Sequence, residues 1–367
     1  MSIAKIVITG GPCGGKTTAL SRIQRDLSHL GYTVLIVPET ATALIAGGVA
    51  PWTCGTNEDY QKCQMRLQLE KEKAFEQAAA TMGAKKIVIV CDRGELDNKA
   101  YMSDEEFERV LASLGVSELE LRDSYDAVFH LVTAAKGAEE FYTLANNEAR
   151  YESAEEAAAL DDKFIAAWTG HPHFRVIDNS SDFEEKMRSL MREITYFLGD
   201  ATPFEIERKY LVEYPSVAWL ESLPNCSRVE IVQTYLRSDY DNEIRVRRRG
   251  SDSHSLYYFT EKRIVGNRKQ LRTQRRLTAG EYHMLLMQAD PGRREIQKTR
   301  YCLTYEGQYF EIDLFPCWDD QAIVEIELSS EDTPVIFPPE LRVIREITGD
   351  PTYRNATIAS KPRGETH

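Results

Sequence analysis

No stretch of this 367-residue sequence approaches the ~18 consecutive apolar residues that would suggest a membrane span. It has no C-x-x-C pair. Its seven cysteines, at 13, 54, 63, 91, 226, 302 and 317, are scattered and odd in number. That argues against a disulfide frame or a zinc cluster and for reduced thiols in the cytosol. The opening Met1-Ser2-Ile3-Ala4-Lys5 passes straight into an apolar strand, so no secretory leader is expected and the expected compartment is cytoplasmic. Positive charge is in deficit. The formal net charge of −13 disfavours a general nucleic-acid binder, and no specific nucleic acid is expected as a partner. An Asn-Lys-x-Asp guanine signature is also missing, so the sequence does not itself choose GTP over ATP.

A chain of this length exceeds one ordinary core, which predicts two domains. The charge is uneven: from Arg245 to Arg300 fifteen Lys or Arg stand against five Asp or Glu. Such a segment in an acidic protein is either a polyanion site or a solvated basic face.

Short apolar runs at 3–9, 34–37, 87–91, 127–132 and 174–178 alternate with helical patterns at 17–30, 61–82 and 183–198. The alternation predicts a doubly wound α/β domain with a parallel sheet over residues 1–199. A linker is expected at 200–202. Beyond it, roughly eight short strands of alternating polarity predict an antiparallel β tunnel or barrel over 203–358, with a tail at 359–367.

Gly10-Gly11-Pro12-Cys13-Gly14-Gly15-Lys16-Thr17 has the spacing G-x-x-x-x-G-K-T between a predicted strand and a predicted helix. This is a phosphate-binding P-loop. Its glycines let backbone N–H groups wrap a phosphate, and the helix N-terminus adds partial positive charge. The expected nucleotide contacts are Gly11, Pro12, Cys13, Gly14, Gly15, Lys16, Thr17 and Thr18, with Lys16 on the β- and γ-phosphates. Thr17 and Asp92, the latter at the end of a strand, are the expected Mg²⁺ ligands, with Mn²⁺ as the alternative ion. Glu39, after the second strand, either accepts a proton from an acceptor hydroxyl or caps a helix. Asp92 and Glu39 are thus the catalytic candidates, and Arg150 stands where a lid over the phosphates is expected. The run Asp92-Arg93-Gly94-Glu95 resembles small-molecule and nucleoside kinases more than regulatory GTPases.

In the second region Glu205, Glu207 and Lys209 form an E-x-E-x-K motif whose alternation puts all three on one strand face. The same spacing recurs in Arg245 with Arg247, Lys298 with Arg300, Glu311 with Asp313, and Glu325 with Glu327, and Lys262 adds a cation. Two carboxylates of such a motif could hold a divalent ion while the lysine holds a phosphate oxygen. These residues resemble the triphosphate tunnel metalloenzymes of the CYTH superfamily. The resemblance implies Lys209, Arg245, Arg247, Lys262, Lys298 and Arg300 as polyphosphate ligands and Glu205, Glu207, Asp313, Glu325 and Glu327 as metal ligands. One departure is that Arg272, Gln274, Arg275 and Arg276 stand where hydrolytic members carry glutamates, which tilts the tunnel toward anion binding.

The two parts together resemble the family of the fly TRPL translocation defect protein 14. That resemblance implies GTP binding, phosphoinositide binding, peripheral membrane contact and a role in membrane-protein trafficking. The expected function is a slow GTPase or ATPase that also binds a polyphosphate or phosphoinositide headgroup. A small-molecule or nucleoside kinase, or a metal-dependent triphosphatase, is the alternative.

Overall fold

The computed structural model describes residues 2–138, 153–199, 206–238, 242–250, 254–265, 269–328 and 333–360. They divide into two compact units, residues 1–204 with 306–309 and residues 205–305 with 310–367. No helix among the described residues is long and apolar enough to cross a membrane.

In the first unit β1 (Ser2–Thr9) leads through the glycine-rich loop into α1 (Lys16–His29). There follow β2 (Thr33–Val37), α2 (Thr40–Ala46), α3 (Asn57–Thr81) and β3 (Lys86–Asp92). A 3-10 turn (Glu95–Tyr101) precedes α4 (Asp104–Leu114), α5 (Glu118–Arg122) and β4 (Ala127–Leu131). The unit closes with α6 (Ala154–Trp168), β5 (Phe174–Ile177) and α7 (Phe183–Phe197). The strands are ordered β2-β3-β1-β4-β5 and pair in parallel. This is the doubly wound sheet that the alternating pattern predicts.

Both faces of the sheet are covered, so its central strands read as unbroken apolar runs. Ile23 and Leu27 of α1 and Leu190 and Ile194 of α7 bury against Ile6, Ile8, Val88 and Phe129. Each such side chain contributes roughly 1.5–3 kcal/mol by leaving water. The helices begin where the sequence supplies caps. Thr56 accepts from the Asp59 amide at the start of α3, and Ser153 with Glu156 forms a capping box on α6. The consequence for function is positional. The glycine-rich loop, Glu39, Asp92 and Thr133 all follow the carboxyl ends of parallel strands, the edge where ligands bind in such sheets.

The second unit is antiparallel. It runs β6 (Ile206–Glu213), α8 (Val217–Ser222), β7 (Cys226–Tyr235), β8 (Asn242–Gly250), β9 (Ser255–Val265) and β10 (Lys269–Leu277). Then come α9 (Ala279–Leu286), β11 (Ile296–Tyr305), β12 (Gln308–Leu314), β13 (Gln321–Leu328), β14 (Val343–Glu346) and α10 (Asn355–Ser360). The order is β10-β9-β8-β7-β11-β12-β13-β6-β14, a tunnel-like sheet with one more strand than the pattern predicts. The extra strand, β14, is exposed along its length and lacks the alternation that marks the others. One sheet face buries Tyr210, Val212, Leu303, Phe310, Ile312 and Val324. The opposite face carries the charged residues, and beyond them an apolar cluster of Leu211, Tyr235, Ile296, Phe315, Trp318 and Ile323.

Candidate functional site

The glycine-rich loop is held in a conformation most residues avoid. Gly10, Cys13 and Gly15 have φ of 138°, 56° and 93°. A Cβ at Gly10 would lie 2.1 Å from the Leu131 carbonyl oxygen, and one at Gly14 2.6 Å from the same atom. Only glycine permits that approach. Lys16 curls back over the loop, its Nζ donating to the Gly10 carbonyl at 2.7 Å and the Gly11 carbonyl at 2.9 Å. Thr17 and Thr18 are exposed on the first turn of α1. Arg150 lies outside the described residues.

Around Lys16 the structure assembles a charged cluster. Arg93, in the left-handed region with φ 72°, donates from Nε to Glu39 at 2.6 Å and pairs through Nη1 with Asp97 at 3.3 Å. Asp97 is buried and also accepts from Thr9 at 2.6 Å and from the Trp168 indole at 2.6 Å. Glu39 accepts a second bond from the Thr42 hydroxyl at 2.6 Å. It makes no side-chain cap to the backbone of α2.

The electrostatics follow from this crowding. Burial first and Arg93 next lower the Lys16 ammonium to about 7, against the upward pull of Glu39, Asp92 and Asp97. Burial works against the Glu39 charge, but Arg93, Thr42 and Lys16 outweigh it and hold the carboxyl below its ordinary range. Asp92 is raised, first by burial and then by Glu39. Glu39 is therefore a charged, anchored carboxylate and Asp92 the more readily protonated of the pair. Asp97, Trp168 and Asp161, which closes the loop from behind, are residues that sequence reasoning missed.

In the second unit the register turns the expected cations to one face. Across β7, β8 and β9, Tyr235 stands opposite Arg245 and Arg245 opposite Thr260, while Gln233 stands opposite Arg247 and Arg247 opposite Tyr258. Lys262 stands opposite Glu243, and Lys298 opposite Ile231, itself opposite Arg249. Arg249 is fully buried and extends the Arg245/Arg247 alternation by one step. Its spacing was the signal that could have found it. Arg247 also sits over the Tyr258 ring, 5.2 Å from its centroid.

The acids lie on β12, β13 and β6. Glu311 is opposite Glu325, Glu325 opposite Lys209, and Glu327 opposite Glu207. Directly opposed like charges destabilise a sheet unless cations intervene. Lys209 does so, pairing with Glu207 at 2.9 Å and Glu325 at 2.7 Å. Arg300 does so too. It bonds Asp313 through Nε and Nη2, each at 2.7 Å, reaches Glu325 at 3.1 Å, and pairs with Glu311. Lys298 also holds Asp313. Burial opposes the Glu325 charge, but Lys209, Arg300 and Lys298 hold this carboxyl well below its ordinary range.

No group of three His, Cys, Asp or Glu that could cage a metal occurs among the described residues, and Glu205 lies outside them. A hard ion such as Mg²⁺ needs only one or two carboxylates when substrate phosphates complete its shell. Glu207 opposite Glu327 offers two carboxylates in the second unit, and Asp92 offers one in the first. The arginines noted on β10 are placed as follows. Arg272 pairs by register with Lys262, and Gln274 and Arg276 are exposed opposite Thr260 and Tyr258.

Fold and site together define a P-loop α/β domain followed by a tunnel-like antiparallel domain whose sheet carries cations and acids on neighbouring strands. A family model described as an AAA domain matches residues 5–186. An inorganic triphosphatase of Nitrosomonas europaea is 34% identical over 159 residues, covering 42% of this chain and 96% of the relative. An inorganic triphosphatase of Acetivibrio thermocellus is 28% identical over 161 residues, covering 43% of this chain and 94% of the relative. The crystal structure of an inorganic triphosphatase matches at 29% identity and a TM-score of 0.33, over 44% of this chain and 99% of its own. Through the part shared with the Nitrosomonas europaea relative, the chain belongs to the family of the inorganic triphosphatases.

Proposed function

We propose that the first unit binds a nucleoside triphosphate with Mg²⁺ and turns it over slowly, while the tunnel-like unit binds a linear polyphosphate or multiply phosphorylated headgroup. The observation that carries the second half is the common face shared by Arg245, Arg247, Lys298 and Arg300 across β8, β7 and β11. Charge-assisted bonds from such a row are roughly twice as strong as neutral ones. Asp313 is already engaged by Lys298 and Arg300, and Gln274 and Arg276 stand on β10 where acids would serve hydrolysis. Both features favour binding over cleavage. When bound, Mg²⁺ would neutralise phosphate charge and polarise the transferring group. The chain's own part is to hold the phosphates with Lys16 and the loop amides.

The test is titration with tripolyphosphate. Arg245→Ala combined with Arg247→Ala is expected to abolish binding and to leave nucleotide binding at Lys16 intact. The 34% identity to an inorganic triphosphatase favours a second reading, in which the tunnel hydrolyses tripolyphosphate. Rapid Mg²⁺- or Mn²⁺-dependent phosphate release, lost in Glu207→Gln, would establish that reading against the first. The resemblance to the TRPL translocation defect protein 14 family adds GTP as the nucleotide, a phosphoinositide as the polyanion and a cytoplasmic site of action at membranes. Headgroup and vesicle titrations with the same double variant separate these ligands.

Glu39 and Asp92 distinguish slow hydrolysis from transfer to an acceptor. If Glu39 receives the acceptor proton, Glu39→Gln keeps nucleotide affinity and loses transfer, whereas Asp92→Asn depresses both hydrolysis and transfer. Such general-base roles are worth roughly 10²–10⁴-fold in rate. Wild-type turnover in both variants, measured by phosphate release and by labelled-acceptor assay, would remove these residues from the chemistry.

A further inference from the structure

Behind the phosphate loop lies a buried carboxylate that several donors meet. Asp161, on α6, is fully buried. Its Oδ1 accepts from the Gly11 amide at 2.9 Å and the Thr133 amide at 3.2 Å, and lies 3.0 Å from His130 Nε2. Its Oδ2 accepts from Lys136 Nζ at 3.2 Å. Thr133 in turn donates its hydroxyl to the Pro12 carbonyl. The loop is therefore tied to β4 and α6 at two consecutive residues.

We infer that Asp161 is a positioning residue for nucleotide binding, presetting the Gly11–Pro12 stretch of the phosphate loop through its amide and through Thr133. This rests on the reading of the loop as a nucleotide site. A Cβ at Gly11 would lie 2.8 Å from Asp161 Oδ1 and 3.0 Å from Thr133 Cβ. Gly11 is thus small to admit the carboxylate, and its amide is committed inside the protein. Burial works against the Asp161 charge, but His130, Lys136 and the Gly11 amide outweigh it and keep the carboxylate ionised. A glycine-rich loop left free would have to be ordered by each nucleotide that binds. Holding it beforehand removes that cost from association.

Asp161→Asn keeps the volume but replaces one acceptor oxygen with an NH₂ that faces other donors. Nucleotide affinity is expected to fall about tenfold, with the loss appearing in KM more than in kcat because Asp161 touches no reacting atom. In the nucleotide-free protein the Gly11 and Thr133 amides are expected to exchange with solvent about tenfold faster. Thr133→Ala is expected to share the affinity loss, and Thr133→Ser, which keeps the hydroxyl for Pro12, to restore it. A purely structural role would lower the melting temperature of Asp161→Asn but leave affinity and loop exchange at wild-type values, and that result overturns the inference. Should Asp161→Asn not fold, the Thr133 pair decides. Equal affinity in Thr133→Ala, Thr133→Ser and wild type would overturn it. A wild-type protein that bound no nucleotide would instead defeat the nucleotide reading, and loop exchange in Asp161→Asn would still decide the positioning role.

Discussion

Lys16→Ala is expected to weaken nucleotide binding ~10- to 100-fold, the equivalent of one charge-assisted contact worth ~1.5–3 kcal/mol. Lys16 is held at about 7 by burial and by Arg93, so above that pH the ammonium is largely discharged. A polyphosphate favours the charged form and lifts it back toward its ordinary value of 10.5. Nucleotide binding at pH 8 should therefore take up a proton, and affinity should fall as pH rises. Folding responds to pH in the opposite sense. Between about 7 and 10.5 the unfolded chain binds more protons at this lysine, so its contribution to stability rises with pH across that window. Calorimetry in two buffers of different ionisation enthalpy measures the uptake. A folded Lys16→Ala protein with unchanged affinity and unchanged uptake would remove Lys16 from the phosphate site.

The local sequence was enough for the phosphate loop because its requirements are local. Glycines at the crowded positions, a lysine and a threonine opening the helix, and an apolar strand in front are all contiguous. Arg93, Glu39 and Asp97 were harder. They lie on different elements, and only the parallel order of β2, β3 and β1 brings them together. Asp161 went unread for a different reason. Ser153-Ala154-Glu155-Glu156 is a legible capping box, and it would have placed a helix over 154–168. Even so, an aspartate inside a helix carries no mark of the backbone amides it will meet. That contact is made 150 residues away in the chain, at Gly11.

The second unit was legible through its period of two. Charges at every second position of a strand share one of its faces, which is why Arg245 with Arg247 and Lys298 with Arg300 could be grouped without a fold. What alternation does not convey is which strands become neighbours. The sheet order puts the cations of β8, β9 and β11 to one side and the acids of β12, β13 and β6, with Lys209 among them, to the other. It also places Arg300 where β11 meets the acidic strand β12. That position, rather than its presence in a basic run, sets its importance.

Arg300→Ala is expected to have the larger effect on stability of the two changes argued here. Arg300 is buried and joins Asp313, Glu311 and Glu325 in one network. Removing it leaves acids that Lys298 and Lys209 cannot fully neutralise, and breaking a buried pair in this way costs ~3–5 kcal/mol. For a unit of this size that corresponds to roughly 6–20 °C in melting temperature. The pH dependence identifies the cause. Glu325 is held far below its ordinary 4.5, so the stabilisation it shares with Arg300 is fully present above that value. It is lost as pH falls through the folded-state value. In Arg300→Ala the carboxyl returns upward and protonates earlier, which relieves the unpaired charge. The gap between variant and wild type should therefore be widest near neutrality and narrow as the solution becomes acidic. Arg300→Lys supplies the charge without the forked geometry and should fall between the two. Tripolyphosphate binding should decline in the same order, because the cation that bridges the acids is also the one offered to the ligand. Thermal unfolding of the three proteins across the acid range decides the matter. A constant gap at every pH would mean that Arg300 acts by filling space, and its place in the polyphosphate site would fall with it.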